Sequence, residues 1–562
     1  MRRLLVLLLL LALPAQAQTL AERHMVAAAH PLAAEAGLAM LREGGSAIDA
    51  AIAVQMVLTL VEPQASGIGG GSLILHWDSS TRRLAAYDGR EAAPAAATGA
   101  LFLRNGEPMG FADAVVGGRA VGVPGTVAVL EAAHRAHGRL PWARLFEPAI
   151  RLSEEGFPIS PRLAQELARD GTRLREDPAA RAYFFDPGGQ PWPAGHRLRN
   201  PALAATLRAI AAQGAAALHR GAIAAEIAGI VRGHPTNPGL MTIDDLAAYQ
   251  PRVREPVCAP YRRRRVCGFP PPSSGGIAVA QILGLLAHFN LPQLPSGGLD
   301  AAHLLTEAGR LAFADRNTYA ADPDQVSVPT RGLVDGAYLT ARAQLIDPLR
   351  AMAAPRAGNP PWRETRFAPQ DPQPEYGTSH LSIIDGNGNA VSMTTTIEAV
   401  FGAQVMVRGF LLNNELTDFS FRPEINGRPV ANAVAPGKRP RSSMSPSMVF
   451  DEDGQLAFIA GSPGGARIIG YVAQTLVGML DWGLSPQAAI DQPHVLTLGS
   501  TVELEADTPA AALAPALEAL GHRVQVRPLT SGLQAIRIRR DGSAVVIDGG
   551  ADRRREGVAI GD

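Results

Sequence analysis

The sequence predicts an α+β protein of layered architecture, because segments of helical composition are grouped around short pairs of strand-like segments. The clearest helix is the Ala-rich stretch at 47–60, which follows Ser46, a residue type that caps helix N-termini. The clearest strand pair is Ser379–Ile384 with Ala390–Thr396, both rich in β-branched residues and serine. The Gly-Asn-Gly sequence at 386–388 suits the tight turn of a hairpin, since both residue types tolerate positive φ.

The remaining elements follow from composition and from turn residues along the chain. Before the hairpin we predict a helix at 27–41, strands at 73–76 and 84–87, a long helical region with loops at 126–230, a β region at 253–268, helices to 286 and at 301–320, and an exposed Pro-rich connector at 347–374. After it we predict strands at 448–450 and 456–460, a helix at 467–480, and strands at 524–526, 533–539 and 544–548.

The N-terminus has the features of a secretory signal peptide. Arg2 and Arg3 precede an apolar run at 4–13, and an Ala-x-Ala site predicts cleavage after Ala17. This run is shorter than the roughly 20 residues that cross a bilayer, and no later apolar stretch reaches that length. We therefore expect a periplasmic or secreted protein that has no membrane anchor after signal removal.

The composition excludes several classes of partner. Lys and Arg number 52, as do Asp and Glu, so no net field favours nucleic acid. No His-Glu-x-x-His or Cys-x-x-Cys spacing occurs, and we expect no metal or other cofactor. The two cysteines, Cys258 and Cys267, flank a basic hairpin tip at 262–265. An exported protein can oxidise such a pair, but the sequence leaves their bonding open.

A glycine-rich loop at 66–72 invites a phosphate-binding interpretation. It follows a helix and precedes a strand, which is the reverse of the dinucleotide-binding order, and it lacks a Gly-Lys-Ser/Thr sequence. We therefore predict that these glycines allow tight backbone packing.

The hairpin brings two threonines close together. A three-residue loop closed by Asp385 and Asn389 places Thr378 opposite Thr396, whereas a two-residue turn at 387–388 shifts the pairing by one position. In either register the two hydroxyls meet at the open end of the hairpin. A threonine that begins a strand is weak evidence of chemistry by itself, because threonine is common in strands.

Further motifs accompany the hairpin in a fixed order, from about Ala21 to the C-terminus. They are Val61-Glu62-Pro63 with the glycine loop, Arg90-Glu91, residues 122–126 and 270–276, Leu412-Asn413-Asn414 with Asp418-Phe419-Ser420, Arg439-Pro440 with 442–446, and 461–465. Together they resemble the γ-glutamyltranspeptidase family of N-terminal-nucleophile hydrolases. The resemblance implies a four-layer αββα sandwich and a precursor that cuts itself before Thr378. The expected products are a large subunit, 18–377, and a small catalytic subunit, 378–562, intertwined as a heterodimer.

The residues at the implied cleavage site suit this chemistry. Cleavage would free an α-amine on Thr378, whose reference pKa of about 8 leaves part of it neutral and able to take the hydroxyl proton. Gly377 has no Cβ, so the scissile peptide can be approached closely. Thr396 is expected to hydrogen-bond the Thr378 hydroxyl and orient it. The resemblance assigns the backbone N–H groups of Gly464 and Gly465 to an oxyanion hole.

The implied substrate carries a carboxylate and an ammonium on one carbon, so its site needs both signs of charge. Arg90 can bind the carboxylate as a bidentate fork, with the hydroxyls of Ser442 and Ser443 as further donors. The acids expected to bind the ammonium are Glu398, Glu415 and Asp418. The family has Asn or Glu at the position of Glu398.

The expected activity is cleavage of γ-glutamyl amides, such as glutathione, through a γ-glutamyl ester on Thr378. The group would pass to water or to an amino-acid or peptide acceptor. One alternative is a β-lactam acylase of the cephalosporin type, with the same fold and nucleophile, but Arg90 and Asp418 with the two serines favour γ-glutamyl recognition. Another is an uncleaved, non-catalytic periplasmic binding protein. The lack of a Gly-x-Ser-x-Gly sequence disfavours an ordinary serine hydrolase.

The loop at 421–431 bears on access to the site. In lidded members of the family the corresponding loop covers the bound glutamyl group, whereas here it is short and has no aromatic residue after Phe421. The resemblance therefore implies an open site.

Overall fold

The computed structural model describes residues 19–364, 366–371, 374, 377–542 and 544–562. Two seven-stranded antiparallel sheets form the centre of the molecule. Sheet I contains, from edge to edge, Val558–Gly561, Met25–Ala28, Ser379–Ile384, Ala390–Thr396, Gly71–Asp78, Arg83–Gly89 and Arg252–Arg254. Sheet II contains Thr19–Ala21, Ala544–Ala551, Gln534–Asp541, Leu456–Gly461, Ser447–Phe450, Arg264–Gly268 and Val257–Tyr261.

Helices cover the outer face of each sheet. On the side of sheet I lie Pro31–Arg42, Ala47–Val61, Thr126–His137, Glu147–Glu155, Pro161–Asp170, Pro178–Phe184, Pro201–Gln213, Ala216–His219, Gly221–Arg232 and Ile243–Ala248. The short helix Phe111–Val115 belongs to a separate apolar cluster with Phe419 and Phe421. The other helices are Gly275–Leu286, Leu299–Tyr319, Thr330–Leu333, Gly336–Ala343, Ile468–Leu480, Pro486–Ile490 and Ala514–Ala519. A small sheet of Val495–Thr497, Val502–Glu505 and Val524–Arg527 lies near the end of the chain.

The strand side chains explain this layering. On one face of sheet I, Leu381 and Ile383 pack against Ala47–Val61, a helix buried along its whole length and therefore apolar on every side. The opposite face of sheet I turns towards sheet II, and Gly275–Leu286 and Ile468–Leu480 pack over the far side of sheet II. The result is the predicted four-layer αββα sandwich.

Most predicted elements are confirmed, including the Ser46 cap, which forms a capping box with Asp49. The helix predicted at 27–41 is wrong at its beginning. Met25–Ala28 is a strand held between the C-terminal strand and the hairpin, and the helix begins only at Pro31. Pairing on both sides overrides the helical preference of this Ala-rich segment. The helical region at 126–230 is divided into separate helices.

The connector at 347–374 has no helix or strand among its described residues, as predicted, but it is not uniformly exposed. Phe367 and Gln370 are buried, and Gln370 donates its backbone N–H to the Asn317 carbonyl at 2.8 Å. This part of the connector is therefore packed onto the helix Leu299–Tyr319.

The two cysteines face each other across a hairpin at the edge of sheet II. Cys258 and Cys267 occupy directly opposed positions and form a disulfide, which answers the question that the sequence leaves open. Arg263 at the tip of this hairpin is exposed and pairs with Glu452, as expected for a solvated turn. Across the described ranges, none of the helices combines the length and apolar character required to span a membrane.

Candidate active site

The hairpin has the register of a three-residue loop. Ile384 pairs with Ala390 and Ser379 with Thr395, so the next position out brings Thr378 opposite Thr396. The Asp385 carboxylate fixes the turn by accepting the backbone N–H groups of residues 387 and 389 at 2.9 and 3.0 Å. Local turn chemistry thus decides which two threonines meet.

Thr378 lies at the end of the layer between the two sheets. Side chains alternate along a strand, so Thr378 shares a face with His380 and Ser382. The Ser382 hydroxyl donates to the Gln534 carbonyl of sheet II, and a Cβ on Gly461 would lie 2.1 Å from His380. The sheets are therefore in close contact behind Thr378, which is itself 2% exposed.

The Thr378 hydroxyl donates to the carbonyl oxygen of Gly377, the residue before it. A Cβ on Gly377 would lie 2.5 Å from the Glu398 carbonyl oxygen, so the expected close backbone approach is present. The Thr396 hydroxyl instead accepts the Glu398 backbone N–H at 2.8 Å. The hydrogen bond predicted between the two threonine hydroxyls is not formed among the described residues of the uncleaved chain, because the Thr378 hydroxyl is directed at the Gly377 carbonyl.

A small cavity opens at Thr378 and gathers most of the residues that the sequence singles out. It is lined by Arg90, Gly377, Thr378, Thr396, Glu398, Glu415, Asp418, Ser442, Ser443, Met444, Gly465 and Ile468. Gly464 adjoins the cavity through Gly465. Residues more than 300 positions apart thus share one site.

Arg90 follows the strand Arg83–Gly89 and forms one wall of the cavity. Its guanidinium donates to the carboxylates of Glu415 and Asp418, and to the carbonyls of Pro440 at 3.0 Å and Arg441 at 2.9 Å. Burial acts to lower the pKa of Arg90, but the attraction of the surrounding acids raises it above its ordinary value. Arg90 therefore remains a cation held in a fixed orientation.

A third acid, Glu91, lies beside this group, with Oε2 3.8 Å from Nη1 of Arg90. Burial raises the pKa of Glu91 to about 7 and raises that of Glu415 well above its usual value, although Arg90 opposes both shifts. The sequence places Glu91 in a motif without giving it a role. Its buried carboxyl adds a proton-binding group to the site near neutral pH.

The serine pair is held by Arg316, which the sequence analysis missed, and by Ser274 of the 270–276 motif. Arg316 donates to the Ser443 hydroxyl and, at 3.0 Å, to the Ser274 hydroxyl. Ser274 in turn donates its backbone N–H and its hydroxyl to the Ser442 carbonyl at 2.8 and 2.7 Å. Arg316 lies within the helix Leu299–Tyr319, where a single arginine gives no motif by which to find it.

Glu398 reaches the cavity from a backbone with φ of 75°, in the left-handed region that non-glycine residues seldom adopt. Asn414 fixes this turn from both sides. Its amide group donates to Oε2 of Glu398 at 2.5 Å, and its side-chain oxygen accepts the Ala399 backbone N–H at 2.8 Å. The strained turn directs the carboxylate at the cavity.

Gly464 and Gly465 have φ values of 133° and 59°, and both positions favour glycine. A Cβ on Gly464 would lie 2.8 Å from the Tyr471 ring. The two glycines precede the helix Ile468–Leu480, and amide groups at a helix start lack intrahelical acceptors. They are thus suited to bind an oxyanion at the cavity.

Arg555, which the sequence analysis missed, and Glu62, which it placed in a motif without a role, hold the start of the strand that carries the nucleophile candidate. Arg555 donates from Nη1 to the Thr378 carbonyl at 3.1 Å. On the opposite face of the strand, Ser379 donates its hydroxyl to Oε2 of Glu62 at 2.7 Å. Among the residues that the structure describes, no three His, Cys, Asp or Glu side chains are grouped so as to hold a metal ion.

Comparisons with known proteins agree with this fold and site. The family model described as gamma-glutamyltranspeptidase matches residues 33–562. A solved cephalosporin acylase from Bacillus halodurans superposes with a TM-score of 0.85 and 30% identity, covering 99% of each chain. The fold is therefore that of the N-terminal-nucleophile hydrolases.

Relatives of known activity give the family. The glutathione hydrolase proenzyme of Bacillus subtilis (strain 168) is 40% identical over 549 residues, which are 96% of this chain and 91% of the relative. The acylase ACY 1 proenzyme of Pseudomonas sp. (strain SE83) is 37% identical, over 96% of this chain and 93% of its own. The chain belongs to the γ-glutamyltranspeptidase family.

Proposed function

We propose that this protein cleaves γ-glutamyl amide bonds, such as that of glutathione, with Thr378 as the nucleophile. The observation that carries the proposal is the position of the Thr378 hydroxyl. It lies against the Gly377 carbonyl, at the mouth of a cavity whose wall holds Arg90 among acids. The same hydroxyl can thus first attack its own chain and later a substrate.

The first reaction is self-cleavage. The Thr378 hydroxyl oxygen attacks the carbonyl carbon of Gly377, the hydroxyl proton passes to the Thr378 nitrogen, and the C–N bond breaks to give an ester and a free α-amine. Water then hydrolyses the ester and releases the Gly377 carboxylate and the Thr378 hydroxyl. The products are the large chain, 18–377, and the small chain, 378–562. Sheets I and II each contain paired strands of both chains, so the chains remain one heterodimer.

The second reaction uses the amine freed by the first. In its neutral form it takes the hydroxyl proton as the oxygen attacks the γ-carbonyl of the substrate. The N–H groups of Gly464 and Gly465 stabilise the oxyanion, where loss of one donor typically costs about 2.7–4 kcal/mol. The amine product leaves, and water or an amino-acid or peptide acceptor then takes the γ-glutamyl group from its ester with Thr378.

The cavity wall matches the two charges of a γ-glutamyl group. The α-carboxylate binds Arg90 with help from the hydroxyls of Ser442 and Ser443. The α-ammonium binds among the acids Glu398, Glu415 and Asp418. Because acids outnumber the arginine here, the site favours a substrate that brings its own cation.

A cephalosporin-type acylase is the second candidate, because two of the relatives described above are acylases. The acidic wall of the cavity favours γ-glutamyl substrates over β-lactam substrates. An acyl group without an ammonium would bring no cation to these acids. We therefore expect γ-glutamyl compounds to react faster than β-lactam substrates of the cephalosporin type. The signal peptide predicted at 1–17 supports a periplasmic or secreted location.

Mass spectrometry of the purified protein, with a γ-glutamyl anilide assay on the same sample, tests the proposal. We expect two masses that correspond to cleavage before Thr378, together with release of the aniline. Thr378→Ala should give one uncleaved, inactive chain. An uncleaved parent protein, or a Thr378→Ala protein that still splits at this bond, would refute the mechanism.

A further inference from the structure

Arg555 contacts the residue that would become the new N-terminus. Its Nη1 donates to the Thr378 carbonyl at 3.1 Å, and its Nε and Nη2 donate to the Thr530 carbonyl at 3.3 and 3.2 Å. Both carbonyls belong to the backbone, so no carboxylate neutralises Arg555 through these hydrogen bonds. The guanidinium is held half-buried as a cation beside Thr378.

Arg555 stays protonated among the charged groups around it. Arg162, Glu62 and Asp552 are close enough to influence it, and burial is the main cause that lowers the pKa of Arg555 to about 10. Arg555 therefore remains protonated at neutral pH. Glu62 is engaged with the Ser379 hydroxyl on the other face of the strand.

The amine of Thr378 is separated from its own carbonyl oxygen only by Cα and the carbonyl carbon. A cation bound to that oxygen consequently lies within a few ångströms of the amine. A like charge at about 4–6 Å disfavours the protonated form of an amine and commonly moves its pKa by about one unit or more. The cavity side of the amine faces Glu398 and the cluster of Arg90, Glu415 and Asp418. The carboxylates there favour the protonated form of the amine, which is opposite to the effect of Arg555.

We propose that Arg555 keeps the α-amine of Thr378 in its neutral form after self-cleavage, so that the amine can act as the base. The inference rests on the proposed function, since the amine exists only if the chain is cut before Thr378. Arg555 acts here as a positioning residue: it holds the Thr378 backbone, and its charge sets the protonation state of the amine. A residue with a purely structural role would hold the Thr378 backbone without changing the protonation state of the amine.

The test is the pH dependence of kcat for hydrolysis of a γ-glutamyl anilide by self-cleaved protein. Arg555→Gln removes the charge, Arg555→Lys keeps it, and Arg553→Gln is the matched control two positions earlier. Arg553 is 54% exposed along its side chain and lies 4.0 Å from the carboxylate of Asp491. Mass spectrometry confirms cleavage before Thr378 in each sample.

We expect the acid limb of the profile to move up by about one pH unit in Arg555→Gln, because loss of the cation raises the pKa of the amine. Arg555→Lys and Arg553→Gln should retain the limb of the parent protein. An unchanged limb in Arg555→Gln overturns the inference, even if kcat falls. Failure of Arg555→Gln to self-cleave overturns it as well, because Arg555 would then act before the amine exists. Neither result contradicts the proposed function, which fails only if the parent protein is uncleaved or inactive.

Discussion

Nη1 of Arg90, in the cavity wall, and Oε2 of Glu91, behind it, lie 3.8 Å apart, and both side chains are almost completely buried. Neighbouring residues at the end of one strand thus contribute a cation and an acid to the same site. Both carboxylate oxygens of Glu91 are buried, and the neighbour within hydrogen-bonding reach is another carboxyl group, that of Glu415. A carboxylate so placed is costly to ionise, which agrees with its pKa of about 7.

Glu91→Gln should stabilise the protein more at pH 8 than at pH 5. The folded-state pKa is raised, so the folded chain holds a proton that the unfolded chain releases. Stability contributed by this group is present below the unfolded value of about 4.5 and is lost as pH rises towards about 7. Glutamine cannot ionise, so its advantage in Tm should grow over this interval. Thermal unfolding at both pH values measures it, with the exposed Glu35→Gln as control; an equal Tm difference at both would contradict the burial argument.

Arg90→Lys should lower kcat/KM for γ-glutamyl substrates by about 10- to 100-fold while self-cleavage survives. Lysine keeps the charge but lacks the planar fork that contacts Glu415, Asp418 and two carbonyls at once. Loss of a hydrogen bond to a charged group costs about 1.5–3 kcal/mol. Steady-state kinetics check this, with Arg263→Lys at an exposed ion pair as control. Unchanged kinetics would remove Arg90 from substrate binding.

Arg316→Met should raise KM by about tenfold with a smaller change in kcat. The substitution keeps an unbranched side chain and removes the donors to the hydroxyls of Ser443 and Ser274, so the serine pair loses its orientation. Arg316→Lys should recover part of the affinity. An equal fall in kcat with KM unchanged would instead indicate a role in the transition state.

The sequence predicts those parts of the site that depend on local signals. The Gly-Asn-Gly turn and the flanking β-branched residues suffice for the hairpin, but they leave two registers open, and only the structure selects the one that pairs Thr378 with Thr396. Arg316 and Arg555 were missed because their contacts cross long stretches of chain, and an isolated arginine has no periodicity or spacing to reveal them. The strand Met25–Ala28 was missed for a related reason: its partners include the C-terminal strand, whereas its own composition favours a helix.

Gly70→Ala should abolish self-cleavage and strongly reduce the yield of folded protein. A Cβ at this position would lie 1.9 Å from the Thr396 carbonyl oxygen, so the backbone behind the site would have to move. This prediction follows from tight packing of the glycine loop. Gly336→Ala is the control, since a Cβ there meets nothing within 4 Å. Mass spectrometry and Tm report the outcome, and a Gly70→Ala protein that is cleaved and stable would contradict the packing argument.

Hydrolysis should exceed transfer, because the cavity has no cover from the loop at 421–431. That segment forms a short hairpin of Glu424–Ile425 with Arg428–Pro429, and none of its residues lines the described cavity. Phe421, the aromatic residue at its start, packs instead on Phe102 with ring centres 4.5 Å apart.

A lid normally keeps water from a covalent intermediate, so an uncovered ester on Thr378 should react readily with water. We expect glutamate as the main product from glutathione at neutral pH even with excess dipeptide acceptor, and we expect bulky γ-linked donors to be accepted. Chromatographic separation of glutamate from the γ-glutamyl dipeptide product measures the ratio, with Thr378→Ala as the blank. Predominant transfer product would show that water is excluded by some other means.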